Sequence, residues 1–226
     1  VVIMAGGRGV RLRPLTKNTP KPMLKVGNKP IIQIILEKFR ESGYTNFVIC
    51  VNYKSKIIMD YFGDGLKFGV KIEYIQEKKR MGTAGALSLL KKKPKEPFFV
   101  VNGDLLTNLD FEKMLNFHHE HNSKATMCIS EYNIESPYGE VKLEQENIIL
   151  IDEKPTHKFF VNAGIYILDP QSLKLIPKKF YDMPSLFKKI IENKFKTISF
   201  PLGEYWIDIG NFNDYKKAKL DYDTKL

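Results

Sequence analysis

The chain has 226 residues, of which 43% are hydrophobic and 27% are charged, as in folded globular proteins. No apolar run approaches the ~18–20 residues of a membrane-spanning helix, and no signal peptide precedes the first predicted strand, so we expect a cytoplasmic protein without a membrane partner. Only five of the 36 basic residues are Arg, which nucleic-acid interfaces favour, so despite the net charge of +10 we expect no nucleic-acid partner.

Strands and helices alternate along the first half of the chain. The apolar run at 1–5 predicts a strand, and Pro30 followed by apolar residues at helical spacing predicts a helix that ends near residue 42. The next predicted elements are a strand at 46–51, a helix at 54–62, a strand at 70–75, a helix at 83–92, a strand at 97–102 and a helix at 111–121. This alternation predicts an α/β fold: a mostly parallel sheet with helices on both faces and ligands at the carboxyl ends of its strands.

The strands become shorter after Lys124, and they are followed by a helix at 185–192, a strand at 196–200 and a helix at 212–220. No repeat, low-complexity segment or linker divides the chain. We therefore predict a single domain over residues 1–226, with halves of about 1–110 and 111–226 that share one sheet. Because the sequence begins at Val1, almost at the first strand, we also expect the domain to be excised from a longer chain.

The cysteines and histidines do not indicate a metal site. Cys50 and Cys128 each lie in a strand-like run, which predicts buried free thiols in a reducing compartment. His118, His119 and His121 lie on a polar helix without a partnering Cys or carboxylate pattern, so we expect them on a solvated helix face.

A glycine turn follows the first strand. Gly6-Gly7-Arg8-Gly9 lets the backbone turn sharply, and its exposed N–H groups can form a concavity that binds anions. The P-loop pattern is absent, and the dinucleotide pattern fails because Leu12 stands where a third glycine is needed, which disfavours a nicotinamide-dependent oxidoreductase. Six cations in the turn and behind it complete a predicted polyphosphate site: Arg8, Arg11, Arg13, Lys17, Lys21 and Lys25.

Two aspartates follow predicted strands and are candidate metal ligands. Asp104 ends Asn102-Gly103-Asp104, and Asp208 lies in Trp206-Ile207-Asp208-Ile209-Gly210. Either one alone is typical of a turn or a helix cap. Mg²⁺ takes one or two protein carboxylates and completes its shell with phosphate oxygens and water, so a polyphosphate site beside both aspartates favours a metal role.

Three further motifs are less specific. Gly82 and Thr83 open the helix after the third long strand, where Thr83 alone would be an ordinary helix cap, and residues 78–80 are predicted to be exposed. The motifs at 138–140, 152–155 and 162–164 lie in the second half. The nine residues from Glu153 to Asn162 suit a hairpin that returns to one pocket.

The strings AGGRGVRLRPLT and PKPMLKVGNKPII together resemble the signature of the sugar-1-phosphate nucleotidyltransferases, or nucleotide-sugar pyrophosphorylases. Val10 stands where the family usually has Thr, a change that removes a hydroxyl but no charge. The resemblance runs through six motifs in family order from Val1 to Gly210. It implies a Rossmann-like three-layer sandwich with a mostly parallel central mixed sheet, of the GT-A-like nucleotidyltransferase type.

The resemblance also assigns site residues. It implies that Asp104 and Asp208 hold Mg²⁺, with Mn²⁺ as an alternative, and that Arg11 and Lys21 are catalytic. The predicted nucleotide site comprises Ala5, Gly6, Gly7, Gly9, Gln76, Gly82, Thr83 and Asp104. The predicted sugar-phosphate site comprises Gly139, Glu153, Lys154 and Asn162.

The implied activity is transfer of a nucleoside monophosphate from a nucleoside triphosphate to a sugar 1-phosphate, with release of pyrophosphate, in the synthesis of glycan or surface-polysaccharide precursors. The string GTAGAL looks more like the guanylyltransferase branch, which uses mannose, heptose or hexosamine 1-phosphates, so GTP is favoured over dTTP, UTP and CTP. A catalytically silent sensor of nucleotide or sugar phosphate is the second alternative. A homo-oligomer is left open.

Overall fold

The structure is a computed structural model, and it describes residues 1–225. Among these residues no helix is both long and apolar enough to cross a membrane. The strands and helices, in chain order, are β1 (Val2–Ala5), β2 (Lys25–Val26), β3 (Lys29–Pro30), α1 (Ile31–Glu41), β4 (Asn46–Val51), α2 (Ser55–Phe62), β5 (Lys71–Gln76), α3 (Gly82–Gly85), β6 (Phe98–Asn102), β7 (Leu105–Thr107), α4 (Phe111–Glu120), β8 (Ala125–Glu135), β9 (Gly139–Glu144), β10 (Asn147–Glu153), β11 (Thr156–Leu168), α5 (Met183–Glu192), β12 (Thr197–Pro201), β13 (Trp206–Asp208) and α6 (Phe212–Lys225).

A seven-stranded sheet with the order β12-β8-β11-β6-β1-β4-β5 runs through both halves of the chain. Strand β1 pairs in parallel with β4 and β6, β4 with β5, and β8 with β12. Strand β11 is antiparallel to both of its neighbours, β6 and β8. The predicted α/β fold with a mostly parallel mixed sheet is therefore confirmed.

Alternate strand residues bury into two different layers, because successive side chains of a strand point to opposite faces. Ile3 and Phe99 face one layer, where the ring of Phe39 from α1 stacks on Phe111 of α4 with centroids 3.7 Å apart. The neighbouring Val2 packs in the other layer, with residues of α5. The sheet is thus held between helices on both faces, which fixes the carboxyl ends of β1, β5 and β6 relative to one another.

Three predictions differ from the structure. The strands after Lys124 are not all shorter, because β8 has 11 residues and β11 has 13. The helix expected over 83–92 is the four-residue α3 followed by a 3-10 turn over 86–89, because Ala84 and Gly85 direct their N–H groups to the carbonyl of Tyr181. The hairpin expected between Glu153 and Asn162 is also wrong. Glu153 pairs with Gly139 of β9, whereas Asn162 pairs with Ile129 of β8.

The outer parts of β8 and β11 and the β9–β10 hairpin form an extended segment, residues 131–160, that we call the arm. All of its residues are exposed except Ser136, Glu140 and Pro155, which are half-buried. Strands β9 and β10 form a two-stranded sheet of their own. The arm therefore takes little part in either core.

Buried cysteines are confirmed, since Cys50 and Cys128 are both buried and free. The solvated histidine face is wrong for His118, which is 1% exposed and contacts the Thr126 hydroxyl through Nδ1 at 2.8 Å. Burial lowers the pKa of His118 to about 4, with the neighbouring His119 as the next cause.

Candidate active site

The glycine turn after β1 is packed on one side and open on the other. A Cβ on Gly6 would lie 2.7 Å from Oε1 of Glu77, so no side chain fits there. Gly9 has a φ of +59°, and the Thr16 hydroxyl donates to its carbonyl at 2.7 Å. A Cβ on Gly7 would meet nothing within 4 Å, which leaves this stretch of backbone accessible to a ligand. The turn is therefore rigid where it faces the protein and free where an anion would approach.

Of the six predicted cations, only Lys21 is buried. It opens a 3-10 turn between Pro20 and Pro22, and its Nζ donates to Oδ2 of Asp104 at 2.5 Å. The same Nζ lies 3.9 Å from Oδ1 of Asp208. Lys21 is far from Asp104 and Asp208 in the sequence, so it is the fold that brings the ammonium group and the two carboxylates together.

The pairing of β7 with β13 explains how the two aspartates meet. Asp208 is opposite Leu105, and the N–H of Ile209 donates to the carbonyl of Asp104 at 3.0 Å. Arg11 lies near Asp208, since both side chains are close to Gly210. A Cβ on Gly210 would be 3.4 Å from Oδ2 of Asp208 and 3.8 Å from Nη1 of Arg11.

Burial raises the pKa of Asp208, and the nearby charge of Asp104 raises it further, while Lys21 and Arg11 oppose both effects. The repulsion that Asp104 exerts on the Asp208 carboxylate would be relieved by a bound cation, which makes the two aspartates a suitable pair for one. Within residues 1–225 no group of three or more His, Cys, Asp or Glu side chains could hold a metal ion. Two oxygen ligands fit Mg²⁺, which leaves the rest of its shell to phosphate and water.

A cleft of about 140 Å³ runs from the glycine turn to Asp104, one of the two metal-ligand candidates. It brings together five of the predicted nucleotide-site residues: Gly6, Gly7, Gly82, Thr83 and Asp104. Ala5 is buried beneath the turn, and Gly9 packs against Thr16 and Lys21. Gln76 is not among the lining residues, because it is exposed and its Nε2 donates to the Ser55 hydroxyl at 3.1 Å.

Sequence reasoning missed Glu77 and Asp182, which both line the cleft. Glu77 is 7% exposed, and its Oε2 accepts the N–H of Met81 at 2.9 Å. Burial raises the pKa of the Glu77 carboxyl, although the Met81 N–H and the charge of Arg80 act in the opposite direction. The alternation of inward and outward side chains along β5 could have identified Glu77, because it predicts that the residue after Gln76 points inward. The predicted exposure of residues 78–80 is confirmed.

The predicted sugar-phosphate residues are divided between two places. Asn162 lies near the cleft: its Oδ1 accepts the N–H of Gly164 at 3.0 Å, and a Cβ on Gly164 would be 2.6 Å from Nδ2 of the cleft residue Asn102. Gly139, Glu153 and Lys154 lie on the arm, where Gly139 and Glu153 are opposite each other in the β9–β10 hairpin. Lys154 has a φ of +49° in the turn that follows the hairpin.

A family model and the relatives found by sequence comparison point to the same family. The family model described as nucleotidyl transferase matches residues 1–225. A relative from Oryza sativa subsp. japonica named "Probable mannose-1-phosphate guanylyltransferase 1" is 36% identical over 229 residues, which cover 95% of this chain and 62% of the relative. Across similar curated relatives the chain spans 62% to 65% of their length.

Solved structures with the same fold cover almost the whole chain. A UDP-glucose pyrophosphorylase in complex with UDP-glucose has a TM-score of 0.75 at 24% identity and covers 100% of this chain and 98% of its own. HddC from Yersinia pseudotuberculosis in complex with GMP-PN has a TM-score of 0.72 at 26% identity, with 98% of each chain covered. On the match over residues 1–225 and the relatives above 30% identity, this chain belongs to the nucleotidyl transferase family.

Proposed function

We propose that this chain transfers a nucleoside monophosphate from a nucleoside triphosphate to a sugar 1-phosphate. The observation that carries the proposal is the buried Lys21, held between Asp104 and Asp208 beside the open glycine turn. Membership of the nucleotidyl transferase family supports it. Such a site combines the cation that triphosphate needs with the carboxylates that a divalent metal needs.

In the proposed reaction an oxygen of the sugar 1-phosphate forms a bond to the α-phosphorus of the triphosphate. The bond between the α-phosphorus and the oxygen that bridges to the β-phosphorus breaks, and pyrophosphate leaves with the electron pair of that bond. The attacking phosphate is already anionic at neutral pH, so no general base is needed. Catalysis then rests on positioning and on stabilising charge at the transferred phosphoryl group.

The roles follow from charge and location. Lys21 and Arg11 stabilise the α-phosphate region and the departing pyrophosphate, and Lys154 binds the phosphate of the sugar. Mg²⁺ held by Asp104 and Asp208, with Mn²⁺ as an alternative, would neutralise charge on the triphosphate. The exposed Gly7 backbone supports phosphate binding at the turn.

We favour GTP as the nucleotide. Guanine presents an N1–H and an amino group side by side, and a carboxylate can accept both, whereas uracil and thymine present one N–H at the corresponding edge. Glu77 supplies such a carboxylate inside the cleft, whereas its neighbour Gln76, predicted for the nucleotide site, does not line it. The guanylyltransferase names of the curated relatives support GTP and mannose 1-phosphate, with heptose and hexosamine 1-phosphates as alternatives.

Pyrophosphate release tests the proposal. GTP, dTTP, UTP, CTP and ATP are each combined with mannose, glucose, glucosamine and heptose 1-phosphates, with and without Mg²⁺. We expect one pair with GTP to give strong, Mg²⁺-dependent release. A silent panel together with tight nucleotide binding would instead identify a sensor of nucleotide or sugar phosphate.

A further inference from the structure

At the cleft, the first turns of α3 and α5 cap each other: a side chain at the start of each helix accepts a backbone N–H of the other. Asp182 is the N-cap residue of α5, a position at which Asp usually accepts an N–H of its own helix. Here it makes no side-chain bond to α5, and its Oδ1 accepts the N–H of Thr83 in α3 at 3.0 Å. In return, the Thr83 hydroxyl accepts the N–H of Met183, the first residue of α5, at 2.8 Å.

The backbone reinforces this exchange. The N–H groups of Ala84 and Gly85 both donate to the carbonyl of Tyr181, at 3.0 Å and 2.9 Å, and the Tyr181 N–H donates to the carbonyl of Met81 at 2.9 Å. A four-residue helix is too short to be stable alone, because helix nucleation is unfavourable. The segment before α5 therefore holds α3 in its conformation.

The contact is also too close to allow a side chain at either glycine of the turn. A Cβ on Gly82 would be 2.6 Å from both Oδ1 of Asp182 and the carbonyl of Tyr181. A Cβ on Gly85 would be 2.4 Å from the carbonyl of Lys179. Gly82, Thr83 and Asp182 also line the cleft together, so the position of the Asp182 carboxylate directly sets the shape of its wall.

We propose that Asp182 is a positioning residue for the nucleotide, which acts by holding the Thr83 amide and thereby the α3 turn. This inference rests on the proposed function and on the expectation that Gly82 and Thr83 belong to the nucleotide site. The donors to Asp182 are a backbone N–H and a hydroxyl, both neutral, so the side chain works as a hydrogen-bond acceptor and its negative charge is not required. If Asp182 served only to join the two helices, its substitution would lower the stability of the protein and leave the affinity for nucleotide unchanged.

Four variants separate these possibilities: Asp182→Ala, Asp182→Asn, Thr83→Val and Asp110→Ala. Asp110 is the matched control, because it caps α4 by accepting the N–H of Lys113 at 2.9 Å and does not line the cleft. The measurements are GTP titration, KM and kcat, melting temperature and hydrogen exchange at the amides of residues 83–85.

We expect Asp182→Ala to weaken GTP binding about 10-fold, in the range of a lost helix cap, and to raise KM much more than it lowers kcat. Exchange at the three amides should accelerate with it, and Thr83→Val should have a smaller effect in the same direction. Asp182→Asn keeps an acceptor oxygen and should restore wild-type affinity. Asp110→Ala should lower the melting temperature without changing the affinity for GTP.

Wild-type GTP affinity and wild-type exchange in Asp182→Ala would overturn the inference. Equal loss in Asp182→Asn and Asp182→Ala would also overturn it, because the negative charge would then be the active property. If the wild-type chain binds none of the five triphosphates, the proposed function fails, and with it the role toward nucleotide. The exchange of the three amides would in that case still decide whether Asp182 holds the turn.

Discussion

The cleft and the arm are built differently, although predicted substrate residues lie in both: five nucleotide-site residues line the cleft, and three of the four sugar-phosphate residues lie on the arm. Around the cleft, Lys21 and Glu77 are buried, and the glycine turn has no space for side chains at Gly6. On the arm, Gly139, Glu153 and Lys154 are exposed on a two-stranded sheet that belongs to neither core. The nucleotide side is thus preorganised by the fold, whereas the sugar side depends on an element with little support.

The hairpin of the arm is amphipathic, and its apolar face carries two of the four predicted sugar-phosphate residues. Directly opposed residues of an antiparallel pair share a face. Gly139 and Glu153 are such a pair. The next pairs on that face consist of four apolar residues that are 48% to 63% exposed: Val141, Ile151, Leu143 and Ile148. The opposite face is mainly charged, with Glu140, Asp152 and Lys142.

The largest expected effect is on catalysis at the cleft. Lys21→Ala should lower kcat by a factor on the order of 10²–10³, by analogy with the loss of one transition-state donor. Lys17→Ala is the matched control, because Lys17 is exposed in the same segment and should leave turnover unchanged. Steady-state kinetics on both variants decides, and wild-type turnover in Lys21→Ala would remove Lys21 from the catalytic machinery.

Substituting one leucine in the core and one on the arm compares how much each region contributes to stability. Leu36 on α1 is fully buried, and Leu143 on the arm is 60% exposed. Leu36→Ala should lower the free energy of unfolding by about 2–5 kcal/mol, whereas Leu143→Ala should change it by less than about 0.5 kcal/mol. Urea denaturation measures both. Equal losses would show that the arm is packed as tightly as the core.

The buried His118 makes stability depend on pH. Its folded pKa of about 4 is below the ordinary 6.5, so the unfolded chain binds the proton more readily. This contribution is fully present above pH 6.5 and is lost as the pH falls toward 4, by up to about 3 kcal/mol.

Replacing the titrating group tests that dependence. His118→Gln should flatten the change in unfolding free energy between pH 6.5 and 4, whereas His119→Gln, at an exposed position on the same helix, should keep it. Urea titrations across this range measure the slope. An unchanged slope in His118→Gln would contradict the prediction.

The smallest effect concerns the arm. Lys154→Ala should raise KM for the sugar 1-phosphate about 10-fold, as expected for a lost charge-assisted hydrogen bond. The melting temperature and the KM for GTP should stay the same, because Lys154 is exposed and is not among the residues that line the cleft. Lys142→Ala, on the charged hairpin face, serves as the control and should leave all three values unchanged.

The sequence predicted the fold well because apolar periodicity reports which faces are buried, and strands such as β4 and β6 are nearly continuous apolar runs. It also singled out Lys21, Asp104 and Asp208, which the structure brings together, because each lies in a motif that resembles the family signature. It missed Asp182, because an Asp before Pro184 is an ordinary helix start and only the tertiary structure shows where its carboxylate is directed. It also named Gln76 and passed over Glu77, although the alternation along β5 predicts that the residue after Gln76 points inward.

The exposure of the arm has a consequence for mutational tolerance. Three of the four residues proposed to bind the sugar phosphate lie on the arm, where substitutions disturb little of the core, so new side chains can be tried there at small cost in folding stability. Residues of the cleft have no such freedom, because a change at Gly6 or Glu77 affects the packing beneath the phosphate turn. Selection for a different sugar could therefore proceed on the arm while the chemistry of phosphoryl transfer stayed as it is.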